Sequence, residues 1–158
     1  MAEDMFLDIK DVTGESKDSV YSEKMEISSW GWGLMQPGSF HSGGGGGTGK
    51  VQAQDLHVTM YLDRSSPTLM DFICKHKHPE TATLTCRKRG GGDKAIDYLI
   101  IEMNKVLVSS VMVSAGGDRP VAQISLNFAK AKVMYKTQND DGSEGPGPEF
   151  EYDFSKND

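Results

Sequence analysis

The sequence predicts a mainly β domain in which bent strands form a β-barrel with one flanking α-helix. Three observations carry this expectation. Apolar residues fall at every second position in segments such as 54–62 (QDLHVTMYL), the spacing of a half-buried strand. Two alternating stretches change parity partway along, the sign of a bulge that bends a strand round a barrel corner. Helical spacing with start and stop signals occurs in a single region, around residues 65–78.

Taken in order, the first strand is residues 5–9 (MFLDI), followed by a polar surface loop at 13–19 (TGESKDS). In the next strand Met25 and Ile27 share one face. Beyond them Trp30, Trp32 and Leu34 occupy the other parity and are expected in the barrel core, with Gly31 and Gly33 pointing away from it. A glycine-rich loop at about 36–49, expected to be flexible, follows. From Gly44 it reads G-x-x-x-x-G-K through Lys50, the start of a phosphate-binding loop. Val51 stands where that motif needs Ser or Thr to hold Mg²⁺, and a strand follows instead of a helix, so the tract is read as a connector between strands.

Ser65, Ser66 and Pro67 then supply a helix start, with Leu69, Met70, Ile73 and Cys74 on one side. Lys75, His76, Lys77 and His78 place cations at the helix C-terminus, and Pro79 ends it. Strand spacing resumes at Ala82, Leu84 and Cys86, and a glycine turn at 90–92 leads into residues 95–113. There Ile96, Tyr98 and Ile100 alternate with Leu99, Ile101 and Met103, so both faces are apolar. A domain with one helix cannot cover both, and burial against another copy of the chain is the simplest remedy. In the last long strand Ile124, Leu126 and Phe128 lie in one register and Ala131, Val133 and Tyr135 in the other.

Composition excludes several classes. With 158 residues, 37% of them apolar, the chain reads as a single domain spanning 1–158, with a C-terminal tail at about 139–158. A net charge of −6 and an isoelectric point near 5.2 argue against nucleic-acid binding and against anionic membranes. The acidic opening Met1-Ala2-Glu3-Asp4 has no signal-peptide character, and no apolar run approaches the ~20 residues of a membrane span, so the chain is expected to be made in the cytoplasm without membrane insertion. Cys74 and Cys86 are too few for a disulfide framework and read as buried thiols.

No catalytic, cofactor or metal site emerges. Cys74, His76, His78 and Cys86 lack zinc-site spacing. Asn139 to Glu144 resembles a calcium loop, but aligning on Gly142 puts Pro148 in place of the bidentate Glu, leaving a solvated turn. Ser16 and Lys17 lack an orienting third group, and His41 and His57 are isolated. The chain reads as no enzyme.

The residues do resemble the haemolysin-coregulated protein (Hcp) family, the inner-tube proteins of bacterial type VI secretion systems. The resemblance runs almost end to end. It is carried by DMFL at 4–7, GESKD at 14–18, WGWG at 30–33, His41 with the tract to Gly49-Lys50-Val51, QDL at 54–56 and SSPTLM at 65–70. Further on it includes Arg87-Lys88, Tyr98-Leu99, VLVSSV at 106–111 and SLNFAK at 125–130.

This resemblance implies a barrel that assembles as a hexameric ring, with rings stacking into a tube exported with sheath and spike proteins and carrying or protecting small effector proteins in its lumen. It also implies secretion through that system without a signal peptide. The mixed charges of Glu15, Lys17 and Asp18, with Ser16 between, suggest a ring-stacking loop whose weak contacts become adequate by sixfold repetition. In the family the face opposite Trp30 and Trp32 borders the channel, which makes Gly31 and Gly33 the expected effector contacts. Gly31 departs from the small polar residue of many relatives, Tyr152 replaces a tryptophan, and His76 replaces a common glycine at the helix end. A phage-type tail-tube protein of the same architecture is the alternative. An effector enzyme with a toxic extension finds too few residues after the last long strand, and a lipocalin-like barrel does not explain the two-face strand.

Overall fold

The structure, a computed structural model, describes residues 3–38, 40–42, 50–89 and 95–158. Strands β1 (Asp4–Ile9), β2 (Met25–Glu26), β3 (Ser29–Gly31), β4 (Leu34–Met35), β5 (Gln52–Ala53) and β6 (Leu56–Tyr61) precede helix α1 (Ser65–Cys74). Strands β7 (Thr81–Arg89), β8 (Ala95–Ser114), β9 (Val121–Tyr135) and β10 (Glu149–Asp153) follow it. The glycine tract 43–49 and the turn at 90–92 lie outside the described residues.

Apart from β4 and β5, which pair with each other, the strands form one curled antiparallel sheet in the order β2-β1-β7-β8-β9-β6-β3, with β10 beside the second half of β9. The segment joining β2 to β3 runs from one edge of this sheet to the other. Ile27 N–H donates to Met5 O of β1, and Ser28 N–H donates to Thr59 O of β6. Curling is possible because the long strands bend where the sequence changes parity. On β8 the buried side chains pass from Ile101 and Met103 to Val106 and Val108 across Lys105, whose φ of 54° is left-handed, and on β9 from Phe128 to Ala131. A further bulge offsets the β8–β9 register between Val108 and Ser110 and returns Val111 to the inside. The expected bent-strand barrel is thus present, and its core is built on Leu7, Met25, Leu56, Leu84, Met103 and Leu126.

Three expectations are corrected. The second predicted strand is broken into β2, β3 and β4. Trp30 and Trp32 pack against the core, but Leu34 is 43% exposed in the two-stranded β4–β5 sheet, because the chain leaves the barrel after Trp32. Helix α1 buries Ser65, Ser66, Leu69 and Phe72, while Met70 and Cys74 face solvent. Its start is tied not by a serine cap but by Asp63, which accepts from Ser65 N–H at 2.8 Å and from the Ser65 hydroxyl. Cys86 is buried, as expected, but Cys74 is not.

The helix ends at His76, which adopts φ 54°, with Lys77 N–H donating to Phe72 O at 2.9 Å and His76 N–H to Ile73 O at 3.3 Å. This is a Schellman turn with a non-glycine residue at its left-handed position. His76→Gly is expected to raise unfolding stability by about 0.5–1 kcal/mol, since the left-handed conformation costs an L side chain about 1–2 kcal/mol and the greater freedom of glycine in the unfolded chain takes back part of that. A denaturant midpoint that stays put or falls would contradict the assignment.

Candidate assembly surfaces

The loop predicted to make stacking contacts is more ordered than a polar surface loop requires. Gly14 N–H donates to Glu23 O and Ser16 N–H to Lys24 O, while Glu23 N–H donates to Ser16 O, so residues 14–24 form a hairpin-like flap. Its side chains alternate: Glu15 and Lys17 are exposed, Ser16 is buried, and Asp18 turns inward. Gly14 permits this closure, because a Cβ there would sit 2.5 Å from Lys24 O. Only Glu15 and Lys17 of the four predicted residues offer free charge outward.

Asp18 is engaged within the subunit. Arg87 on β7 donates Nη1–H to Asp18 Oδ1 at 3.0 Å and Nη2–H to Asp18 Oδ2 at 2.5 Å, and it also reaches Asp4 Oδ2 at 2.9 Å. These hydrogen bonds, joined by those from the Tyr21 and Val20 backbone, hold the Asp18 carboxyl well below the usual carboxylate range. The Arg87 guanidinium lies 5.1 Å from the Phe6 ring and 5.7 Å from that of Tyr21, and the two rings stack at 4.7 Å. Burial, with the hydrogen bond from its hydroxyl to Asp97, pushes Tyr21 up to about 12. This second buried layer covers the outer face of β1.

Gly31 stands opposite His57 in the β3–β6 ladder, and His57 stands opposite Ser125 in β6–β9, whereas Trp30 stands opposite the buried Val58. Gly31 therefore lies on the outward side, as the strand period requires. The wall around it is polar: His57 Nδ1 lies 2.8 Å from Ser125 Oγ, and Asp55 accepts from Ser109 Oγ at 2.7 Å and Asn127 Nδ2 at 2.8 Å. Among the described residues a Cβ at Gly31 would meet no atom within 4 Å, so none of them demands glycine there. Gly33 differs: its carbonyl accepts from Gln54 N–H at 3.0 Å, and a Cβ would make ordinary contact with Gln54 Oε1 at 3.5 Å. The two predicted glycines thus sit on a bare patch and at a strand crossing respectively.

Sequence reasoning missed the Arg87, Tyr21, Asp97 and Phe6 cluster as a unit. Its members are up to 91 positions apart in the chain, and the available signal was the start of a basic run, Arg87-Lys88-Arg89, directly after the buried residues of its strand. The turn at Asn139 is closed by its own groups: Asp141 Oδ1 accepts from Ser143 N–H at 2.9 Å, and Gly142 is left-handed at φ 87°. Among the described residues no group of three or more His, Cys, Asp and Glu side chains is placed to hold a metal, and no helix is long and apolar enough to cross a membrane.

Comparison with known proteins agrees with this architecture. A family profile described as "Type VI secretion system effector, Hcp" matches residues 6–135. The protein Hcp1 of Pseudomonas aeruginosa is 49% identical over 150 residues, covering 94% of this chain and 92% of that one. The crystal structure of Hcp1 from Salmonella typhimurium superposes with a TM-score of 0.79 at 30% identity, over 99% of this chain and 97% of that one. A structure described as a type six secretion system protein reaches a TM-score of 0.87 at 24% identity over 99% of both chains, a likeness of fold alone. A barrel with these bends and this single flanking helix, matched over most of its length in sequence and in structure, belongs to the Hcp family of type VI secretion proteins.

Proposed function

We propose that this chain is the structural tube subunit of a type VI secretion system: six copies close into a ring, rings stack into a tube, and the lumen carries effector proteins. The observation that carries this reading is the outward face of β8. Ile101, Met103, Val106 and Val108 fill the core from the inner face of that strand, while Leu107 and Met112 on the other face remain 40% and 64% exposed on a single chain. Apolar side chains on both faces of a 20-residue strand call for a neighbour, and a contact repeated by rotation closes a ring. Family membership supplies the type VI setting; sheath and spike proteins are the further partners of this reading. In it the protein acts by assembly and not by catalysis, is made in the cytoplasm, and leaves through the type VI system. The polar wall of Ser109, Ser125, Asn127 and His57, open at Gly31, then lines the lumen.

Sedimentation tests the ring. The expected mass is six times the 17.3 kDa chain, about 104 kDa, and a monomer mass at micromolar concentration would remove the reading. Gly31→Gln tests the wall: no described atom lies within 4 Å of a Cβ at that position, so the ring is expected to survive while effector no longer co-purifies. Unchanged effector recovery would move the recognition surface elsewhere.

A further inference from the structure

We propose that Arg87 is the positioning residue of the 14–24 flap, the buried pin that fixes how each subunit presents Glu15 and Lys17. This rests on the reading of those two exposed charges as ring-stacking contacts. The backbone hydrogen bonds of the flap run between its own two limbs, Gly14 and Ser16 to Glu23 and Lys24, and so close it without anchoring it. Its limbs are tied near the base: Arg64 Nε–H donates to Gly14 O at 2.8 Å, Arg64 Nη2 pairs with Glu23 Oε1 at 3.4 Å, Lys24 Nζ pairs with Asp8 Oδ1 at 3.2 Å, and Ser16 Oγ donates to Glu26 Oε1 at 3.5 Å. The turn between the limbs is held at one point: Asp18 on the Arg87 fork, the Tyr21 ring against Phe6 and Arg87, and the Tyr21 hydroxyl on Asp97.

Arg87 is a poor choice if stability alone is at stake. Its side chain is 13% exposed, and among the described residues its buried Nε–H finds no acceptor. Buried ion pairs are often replaceable by apolar residues without loss of stability. A planar fork adds direction, because two parallel hydrogen bonds fix the Asp18 carboxylate in orientation as well as distance. Asp18 follows Lys17 directly, so fixing Asp18 fixes the neighbouring backbone from which Lys17 and Glu15 project. Direction matters most where the same charges must meet the same partners around a whole ring, since contacts that are weak singly contribute only when all form together.

The test uses the full-length protein with Asp18→Ala, which frees the flap without touching the sheet, and Arg87→Lys, which keeps the charge and removes the fork. Glu15→Ala/Lys17→Ala is the comparison. In both pin variants the amides of Gly14, Ser16 and Glu23 are expected to exchange with solvent at least roughly tenfold faster, while amides of β7 and β9 and the ring mass stay unchanged. Export into the medium, normalised to the cellular pool, is expected to fall to the level of the Glu15/Lys17 variant. Unchanged flap exchange in both pin variants overturns the proposal. So does normal export from a loosened flap when the Glu15/Lys17 variant is export-defective. If the Glu15/Lys17 variant itself is exported normally, the stacking reading fails, and the exchange data alone then decide whether Arg87 holds the flap.

Discussion

Leu126→Ala is expected to lower the unfolding free energy by about 3–4 kcal/mol, the middle of the range for a fully buried leucine. Leu126 has no exposed surface and lies in the middle of β9, opposite Leu56 of β6 on one side and Val108 of β8 on the other. Both partners are themselves buried, at 0% and 3% exposure, and each is fixed by a strand ladder, so neither backbone can move in to fill the space. The loss therefore combines lost burial with a cavity that persists. Chemical denaturation at matched protein concentration reads the change, the matching being needed because assembly adds stability of its own. A loss under about 1 kcal/mol would mean that the strands close over the gap.

Gly147→Ala is expected to detach β10 from the barrel. A Cβ at this position would lie 1.7 Å from Tyr135 O and 2.6 Å from Tyr135 C, atoms of a strand backbone that cannot yield. The chain returns along β9 at this point, with Tyr135 N–H donating to Pro148 O at 3.2 Å and Thr137 N–H to Pro146 O at 3.2 Å. Moving residue 147 outward breaks these bonds and then the register from Glu149 opposite Met134 to Asp153 opposite Lys130. It also withdraws Phe154, whose ring centroid lies 6.4 Å from that of Trp32 and 6.5 Å from that of Phe128. The barrel itself is expected to remain, because β10 adds to β9 without separating any other pair. Rapid proteolysis between residues 136 and 148 and red-shifted tryptophan emission are the readouts. Retained resistance and unchanged emission would contradict the expectation. Gly145→Ala provides a milder contrast, since its closest neighbours are the side chains of Thr137 and Asn139, which can rotate.

The alternation rule made most of the barrel legible. It located β1, β6, β7, β8 and β9, and the parity change read in the last long strand marked a real bend of β9, whereas the bend of β8 at Lys105 was hidden by apolar residues on both faces. Helix existence was legible too, from a proline near its start and another past its end, yet its buried face was read one step round. The spacing offered Met70 and Cys74 as partners of Leu69, but α1 buries Ser65 and Ser66 instead. Hydropathy cannot anticipate this, because Ser65 is made buriable by a hydroxyl bond to Asp63, and the face turned inward depends on the strand the helix meets. Leu34 failed for a similar reason: alternation continues in the sequence past the point where the strand has left the core.

At the candidate surfaces the division is sharper. Local chemistry alone placed charges at Glu15 and Lys17, put Gly31 on the face opposite Trp30, and withheld any metal or nucleotide site, because period, charge and motif spacing are properties of neighbouring residues. The tertiary structure alone decided that Asp18 belongs to Arg87, 69 positions away, and that Gly147 must clear Tyr135. It also decided that the sheet's edges meet through Ile27 and Ser28. Each of these is a contact between segments brought together by the curl of the sheet, and strand periodicity specifies which way a side chain points without specifying what it will find there.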